Sequence, residues 1–205
     1  MFKPFAIATC VVVLSSCATL SPEQCKNADW RQIGYADGAS GESASRIQQH
    51  ASACAKVDAK PDMEAYLSGR MEGLLSYCQP ENGFDVGRRG RPDIAGDCPP
   101  HLRAAFLDRY REGREINGLE GQVQNFRSIL QNEQNELRRN DRRIEDIRNE
   151  LRRSNLTVER RTSLLNEMER LLDRRQDVGR RQLGMQRDLD IAEDRLQYRL
   201  RELRR

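Results

Sequence analysis

The chain has 205 residues, of which 33% are charged, 37% are hydrophobic and 5% are aromatic. Its 35 basic and 32 acidic side chains leave a formal net charge of only +3, and the mean hydropathy is -0.83. This near balance argues against a strongly basic nucleic-acid-binding protein and against an acidic disordered tail. The low hydrophobic content argues against one compact core built from the whole length.

The first seventeen residues are typical of an export signal. Lys3 supplies a positive charge, and an apolar stretch follows over residues 4–14. That stretch is shorter than the roughly 20 residues needed to cross a bilayer, so we predict a cleaved signal peptide over residues 1–16. The cleavage site then decides between a lipoprotein signal, described next, and an ordinary signal peptide. An ordinary signal peptide would be cut at another position and would leave Cys17 as a free thiol.

The end of this segment, Leu14-Ser15-Ser16-Cys17, resembles a bacterial lipobox. The resemblance implies cleavage before Cys17 and acylation of that residue, with residues 17–20 as the anchor. Several acyl chains hold a protein stably on a membrane. Because Ala18 follows the cysteine in place of the aspartate that retains enteric lipoproteins at the inner membrane, we expect the outer membrane, facing the periplasm.

Four cysteines remain after Cys10 leaves with the signal and Cys17 is acylated: Cys25, Cys54, Cys78 and Cys98. An even number in an oxidising compartment predicts two disulfides, with three possible pairings. We favour Cys25–Cys54 and Cys78–Cys98, because each joins neighbouring predicted helices. A zinc site is the alternative, since His50 and Cys54 lie at i and i+4, but C-x-x-C spacing is absent. We therefore expect no metal and no cofactor.

Residues 21–114 are predicted to form a small helical domain. Ser21-Pro22-Glu23-Gln24 is an N-terminal helix pattern, and the helix that it starts is predicted to run past Trp30 to residues 38–41. Further helices are predicted over residues 43–56 and 61–78 and from Pro100 onward. The segment between Cys78 and Cys98 is rich in Gly and Pro and is predicted to be a loop.

Aromatic residues followed by glycines at spacings of three or four recur through this domain, as in Tyr66, Gly69 and Gly73. Glycine within a helix costs about 1 kcal/mol relative to alanine, so the repeat needs a compensating reason. We favour close approach of another backbone or an aromatic ring. The alternative is a ligand groove, whose candidate lining is aromatic: Trp30, Tyr66, Phe84 and Tyr110.

The order of residues in this region resembles the bacterial lipoproteins grouped as domain of unknown function 2799, over roughly residues 21–114. The positions that carry the resemblance are Cys25, Asp29-Trp30, Gly34-Tyr35, Asp37-Gly38, His50, Cys54, Pro61-Asp62, Tyr66, Gly69-Arg70, Glu72-Gly73, Tyr77-Cys78, Glu81-Asn82-Gly83, Gly87, Gly90 and Cys98-Pro99. The resemblance implies location and architecture, and it implies no activity.

Residues 115–205, here called the arm, contain neither proline nor cysteine. Apolar residues recur every seven positions, as a coiled-coil seam requires: Ile116, Val123, Leu130, Leu137, Ile144 and Leu151. Residues 154–157 interrupt the pattern, and Thr157 is a good N-cap for a second helix. We favour an antiparallel hairpin of two long helices, and one uninterrupted helix is the alternative.

The sequence therefore predicts an all-α protein, with a small disulfide-linked helical domain followed by a long antiparallel coiled-coil hairpin. No hydrolase, zinc-protease, P-loop or dinucleotide motif occurs. We favour a non-enzymatic envelope protein that binds or spaces through the arm, by self-association or with a protein partner, and without nucleic acid. The alternative is a glycan-binding or hydrolytic domain, in which Asp37, His50 and Glu72 would converge in an aromatic pocket.

Overall fold

The computed structural model describes residues 19–204, and this part of the chain is all-α, with seven helices and no strand. The fold class predicted from the sequence is confirmed. The predicted signal peptide and the predicted lipidation site at Cys17 lie outside the described residues. The helices are α1 (Pro22–Lys26), α2 (Trp30–Ser40), α3 (Arg46–Cys54), α4 (Met63–Tyr77), α5 (Pro80–Arg88), α6 (Pro100–Leu151) and α7 (Val158–Glu202).

The chain divides into two compact units. The first unit contains residues 19–85 and 92–110, and the second contains residues 86–91 and 111–204. Within residues 19–204, every helix is either too short or too polar to cross a bilayer.

The start of the first unit has two helices where the sequence pattern predicts one. Ser21 caps α1 as expected, because its hydroxyl accepts a hydrogen bond from the amide of Gln24 while the Gln24 side chain accepts one from the Ser21 amide. The helix nevertheless ends at Lys26. Asp29 then caps α2 by accepting a hydrogen bond of 3.0 Å from the amide of Gln32. A second cap, which the apolar spacing did not reveal, therefore restarts the helix in a new direction.

The segment between Cys78 and Cys98 contains a helix, α5, so the prediction of a loop was wrong over Pro80–Arg88, while residues 91–94 have no regular structure. Pro80 is the first residue of α5, a position where the missing N–H of proline has no helical partner to lose. Gly83 lies against the carbonyl oxygen of Phe106, so closely that a Cβ atom would overlap it. Gly83, one of the glycines that suggested a loop, instead allows a helix to pack tightly.

Helices α2 and α4 pack backbone against backbone through four glycines. A Cβ atom at each would overlap a carbonyl oxygen of the facing helix: Gly34 faces Tyr66, Gly38 faces Arg70, Gly69 faces Arg31 and Gly73 faces Tyr35. The glycines form two reciprocal pairs, Gly34 with Gly69 and Gly38 with Gly73. In each pair, each glycine faces the residue three positions before the other glycine. Later residues of α2 face later residues of α4, so the two helices run parallel. Such close approach allows Cα–H···O contacts and offsets the low helix propensity of glycine.

Two disulfides link the helices of the first unit. They join Cys25 to Cys54 and Cys78 to Cys98, which is the pairing favoured from the sequence. All four cysteines are buried. The first bond lies in an apolar cluster with Trp30, against which Leu20 and Ile33 also pack, and the chain is therefore fixed from its first described residues.

The second unit contains an antiparallel hairpin of α6 and α7, and the alternative of one continuous helix is excluded. Residues 152–157 connect the two helices, and Thr157 caps α7 by accepting a hydrogen bond from the amide of Arg160. Ion pairs cross the hairpin from Glu115–Arg199 near its open end to Glu150–Arg160 near the turn, as antiparallel helices require. The seven pairs are Glu115–Arg199, Arg127–Glu193, Glu133–Arg181, Glu136–Arg174, Asp141–Arg175, Arg143–Glu167 and Glu150–Arg160.

Four of the six predicted seam residues of α6 are buried, and the other two, Leu137 and Leu151, are half-buried. On α6 the buried side chains are Ile116, Val123, Leu130, Asn140, Ile144 and Ile147. On α7 they are Leu164, Val178, Leu189 and Ala192. Val123, Leu130, Leu189 and Ala192 form one cluster, which Phe126, Met185 and Leu196 extend. The arm is thus stabilised by a narrow apolar stripe on each helix, with charge on the flanks.

Candidate functional site

A carboxylate, an imidazole and a phenol meet inside the first unit. The hydroxyl of Tyr66 donates a hydrogen bond of 2.6 Å to Oδ2 of Asp37. This Asp37 oxygen also lies 2.9 Å from Nε2 of His50. Nδ1 of His50 lies 2.8 Å from Oγ1 of Thr19. The exposed fractions of Asp37, His50 and Tyr66 are 9%, 3% and 0%. We call these four residues the Asp37 cluster.

The helix pattern explains how these groups meet. Asp37 lies between Gly34 and Gly38 on α2, so the close glycine contacts bring it near the Tyr66 side chain from α4. His50 comes from α3, which the Cys25–Cys54 disulfide holds near the start of the domain. Burial, together with the hydrogen bond to Asp37, raises the pKa of Tyr66, so the phenol remains a neutral donor at physiological pH.

Two arginines lie beside this cluster and are bonded differently. Nε of Arg46 is 3.4 Å from Oδ1 of Asp37, and it is buried without a hydrogen-bond partner among the described residues. Arg70 is buried and well satisfied: it donates to the carbonyl of Glu42 at 2.9 and 2.7 Å and to Asp97 at 2.6 Å. Arg70 thereby connects α4 to two loops of the first unit.

In the part of the chain that the structure describes, the acid–base groups of the Asp37 cluster are buried and bonded to one another. Both ring nitrogens of His50 have partners, and Oδ2 of Asp37 accepts from two side chains. Glu72, the other carboxylate of the predicted pocket, lies elsewhere and pairs with Arg31 at an exposed position. Buried polar groups satisfied in this way chiefly specify one arrangement of the interior.

The four aromatic residues of the candidate groove occupy different places. Trp30 and Tyr66 share the apolar cluster of the first disulfide, and Tyr66 is fully buried. Phe84 lies beneath the guanidinium of Arg109, whose Cζ is 5.1 Å from the ring centroid. Tyr110 stacks on Phe106 with centroids 6.5 Å apart. The structure therefore places Trp30 and Tyr66 in one cluster and the other two in separate ring contacts.

An open groove of about 500 Å³ lies on α1 and α2, close to the first described residue. Its apolar lining comes from Leu20, Ala28, Ile33 and Ala36. Its remaining lining side chains are polar or charged: Glu23, Gln24, Asn27, Asp29 and Gln32. None of the four aromatic residues of the candidate groove lines it. Apart from the capping pattern at Ser21, no pattern in the sequence predicts this surface.

The zinc alternative loses its proposed thiolate ligand, since Cys54 is bonded to Cys25. His50 is held by Asp37 and Thr19. Within the part of the chain that the structure describes, no group of three His, Cys, Asp or Glu side chains is arranged to hold a metal ion.

The arm presents a second candidate surface. Five apolar side chains of α7 are exposed: Val158, Leu165, Leu183, Ile191 and Tyr198. On an ideal α-helix of 3.6 residues per turn, these five lie within an arc of about 80°, on the side away from the buried Leu164, Val178 and Leu189. We call these five residues the outer stripe.

The architecture defines a small disulfide-linked helical domain, closed around a polar cluster, on a chain that continues into a helical hairpin. Residues 29–115 match the family described as "Protein of unknown function (DUF2799)", so this segment of the chain is similar to that family. The resemblance found in the sequence is thereby confirmed. No curated protein and no solved structure matches the chain.

Proposed function

We propose that this protein is an outer-membrane lipoprotein, anchored through acyl chains on Cys17 and facing the periplasm, that works as a non-enzymatic binding or spacer protein through its arm. The lipobox pattern before Cys17 supports the anchor. The two disulfides support an oxidising compartment such as the periplasm, because such bonds are rare in the cytosol of mesophiles.

The outer stripe is the observation that carries the binding role. In a hairpin that packs only through its own seam, the far side of α7 is expected to carry mainly charged and polar residues. Val158, Leu165, Leu183, Ile191 and Tyr198 instead expose apolar surface there. Apolar side chains on one helix face are typical of a surface that receives another helix. The partner is a second copy of the arm or another envelope protein.

The closed state of the Asp37 cluster supports the non-enzymatic part of the proposal. General acid–base catalysis requires a group within hydrogen-bond reach of a substrate proton. Asp37, His50 and Tyr66 are buried and bonded to one another, so they stabilise the domain.

Site-specific photo-crosslinking in the native envelope tests the arm. A photoreactive phenylalanine analogue is placed at Leu183, within the outer stripe, and separately at Asp188, which is exposed and about 140° away around an ideal helix. We expect a discrete crosslinked band from Leu183 and a much weaker one from Asp188. Equal bands, or none from either position, would contradict a binding role for the stripe.

The anchor has an independent test. The mass of the mature protein and its partition into detergent are compared with those of Cys17→Ser. We expect an acyl mass increment and detergent partition in the wild type, both lost in the variant. An unmodified wild-type N-terminus would overturn the lipoprotein proposal.

A further inference from the structure

The chain between the proposed anchor and the folded domain is very short. Only Ala18 separates Cys17 from Thr19, whose hydroxyl is hydrogen-bonded to the buried His50. Consecutive Cα atoms lie 3.8 Å apart, so the Cα atoms of Cys17 and Thr19 are at most about 7 Å apart.

Nothing after Thr19 lengthens this tether. Leu20 packs against the apolar cluster of the first disulfide, and Ser21 caps α1 through its hydrogen bonds with Gln24. A flexible linker gains reach only through residues that are free to move. Acyl chains on Cys17 would therefore hold α1 and the start of α2 within a few ångströms of the lipid headgroups.

The surface at this place is suited to such contact. The open groove on α1 and α2 leaves Leu20, Ala28 and Ile33 partly exposed and Ala36 exposed, between polar side chains. An apolar strip with a polar border matches the boundary between headgroups and acyl chains, into which an apolar face sinks about 5–10 Å. Glu23 and Asp29 on the border favour a zwitterionic headgroup with an ammonium donor over an anionic one.

From the tether length, the bonded Thr19 and this groove, we propose that the first unit is seated directly on the membrane, with α1 and the start of α2 in the headgroup region of a zwitterionic lipid surface. The inference rests on the proposed lipid anchor and goes beyond it, because a lipid anchor alone is compatible with a domain held away from the bilayer.

Trp30 gives a built-in reporter. It is the only tryptophan in the chain, it begins α2, and it belongs to the cluster on which Leu20 packs. The acylated full-length protein is reconstituted into vesicles of phosphatidylethanolamine and phosphatidylcholine that contain a headgroup spin-labelled lipid. Quenching of Trp30 fluorescence is then compared with that of a variant carrying twelve Gly and Ser residues inserted between Ala18 and Thr19.

We expect strong quenching in the wild type and at least a threefold weaker effect in the linker variant. Quenching should also weaken when the zwitterionic lipid is replaced by phosphatidylglycerol. Equal quenching of the two acylated proteins would overturn direct seating while leaving the anchor intact. A mass spectrum without acyl chains would instead refute the anchor, and the inference would fall with it. Matching circular dichroism spectra show that the insertion leaves the fold unchanged.

Discussion

The hydroxyl of Tyr66 donates a 2.6 Å hydrogen bond to the buried carboxylate of Asp37, joining α4 to α2 in the region where glycines bring their backbones into close contact. This bond is a short charge-assisted one, and it fixes the carboxylate that also meets His50. Two kinds of contact, close glycines and a buried polar group, therefore hold the same pair of helices.

We expect Tyr66→Phe to destabilise the first unit by about 1.5–3 kcal/mol at pH 8, the typical value of a hydrogen bond to a charged group. Because the pKa of Tyr66 is raised in the folded state, the unfolded phenol ionises first, near pH 10. Wild-type stability should then fall as the pH rises above 10, and the gap to the variant should narrow. Urea unfolding at pH 8 and pH 10.5, on protein carrying Cys17→Ser, measures both effects. A gap that does not change with pH would contradict this account.

The glycine contacts predict opposite effects for one substitution at two helical positions. Gly38→Ala should destabilise the protein by about 1–3 kcal/mol, because its Cβ would overlap the carbonyl oxygen of Arg70. Gly118→Ala should stabilise it by up to about 1 kcal/mol, since no atom lies within 4 Å of that Cβ and alanine is the better helix former. Denaturant unfolding gives both values. Similar effects at both sites would show that the close packing of α2 and α4 is unimportant.

Removal of the Cys25–Cys54 disulfide should cost about 3–4 kcal/mol, as expected for closure of a loop of 29 residues. The double variant Cys25→Ala and Cys54→Ala tests this without leaving a free thiol. Proteolysis of the first unit should accelerate, because α1 and the chain at Thr19 lose their covalent link to α3. Unchanged unfolding would mean that the apolar cluster alone holds these elements.

The arm should lose stability in acid. Hydrogen bonds from Arg160 and Arg143 lower the pKa values of Glu150 and Glu167, respectively. A carboxylate with a lowered pKa in the folded state contributes stability above its unfolded pKa, near 4.3, and loses that contribution as the pH falls through its folded pKa. Hydrogen exchange of residues 140–175, measured by mass spectrometry at pH 6 and pH 3 and corrected for intrinsic rates, should show faster opening at pH 3. Glu167→Gln should reduce the difference.

We expect a substitution at Asn140, in the seam of the arm, to stabilise the protein. Asn140 is 7% exposed in the seam, and its Nδ2 finds no hydrogen-bond partner among the described residues. Asn140→Leu should therefore stabilise the arm by about 1–3 kcal/mol, the cost of a buried unsatisfied polar group. A polar residue in a seam also specifies register, so the variant should form additional oligomers in size-exclusion chromatography. Asn149→Leu, on the exposed surface, is the control and should change neither property.

The arm could be predicted well from the sequence because its signal is local. A repeat of seven residues requires only neighbouring turns, and the interruption at residues 154–157 indicates the hairpin. The first unit could be predicted only in part, because its helices are short and depend on one another. Asp29 restarts a helix that the apolar pattern would have continued, and Gly83 serves packing where the composition indicated a loop.

The Asp37 cluster was the feature that could be predicted least from the sequence. Asp37, His50 and Tyr66 come from three helices, and only the close approach of α2 and α4 brings them together. The glycine spacing predicted that a backbone or an aromatic ring would approach closely, but not which helix would do so. Which helix packs against the glycines depends on the whole domain, and no local sequence pattern indicates it.

The ion pairs that cross the arm have a practical chemical consequence. Every cation in them is an arginine, and no lysine occurs after residue 114. Amine-reactive crosslinkers and lysine acetylation therefore have no side-chain target on the hairpin, and a proteomic survey based on lysine chemistry would overlook whatever binds there. Reagents that activate carboxylates would reach the arm, although they would also neutralise the acids that pair its two helices.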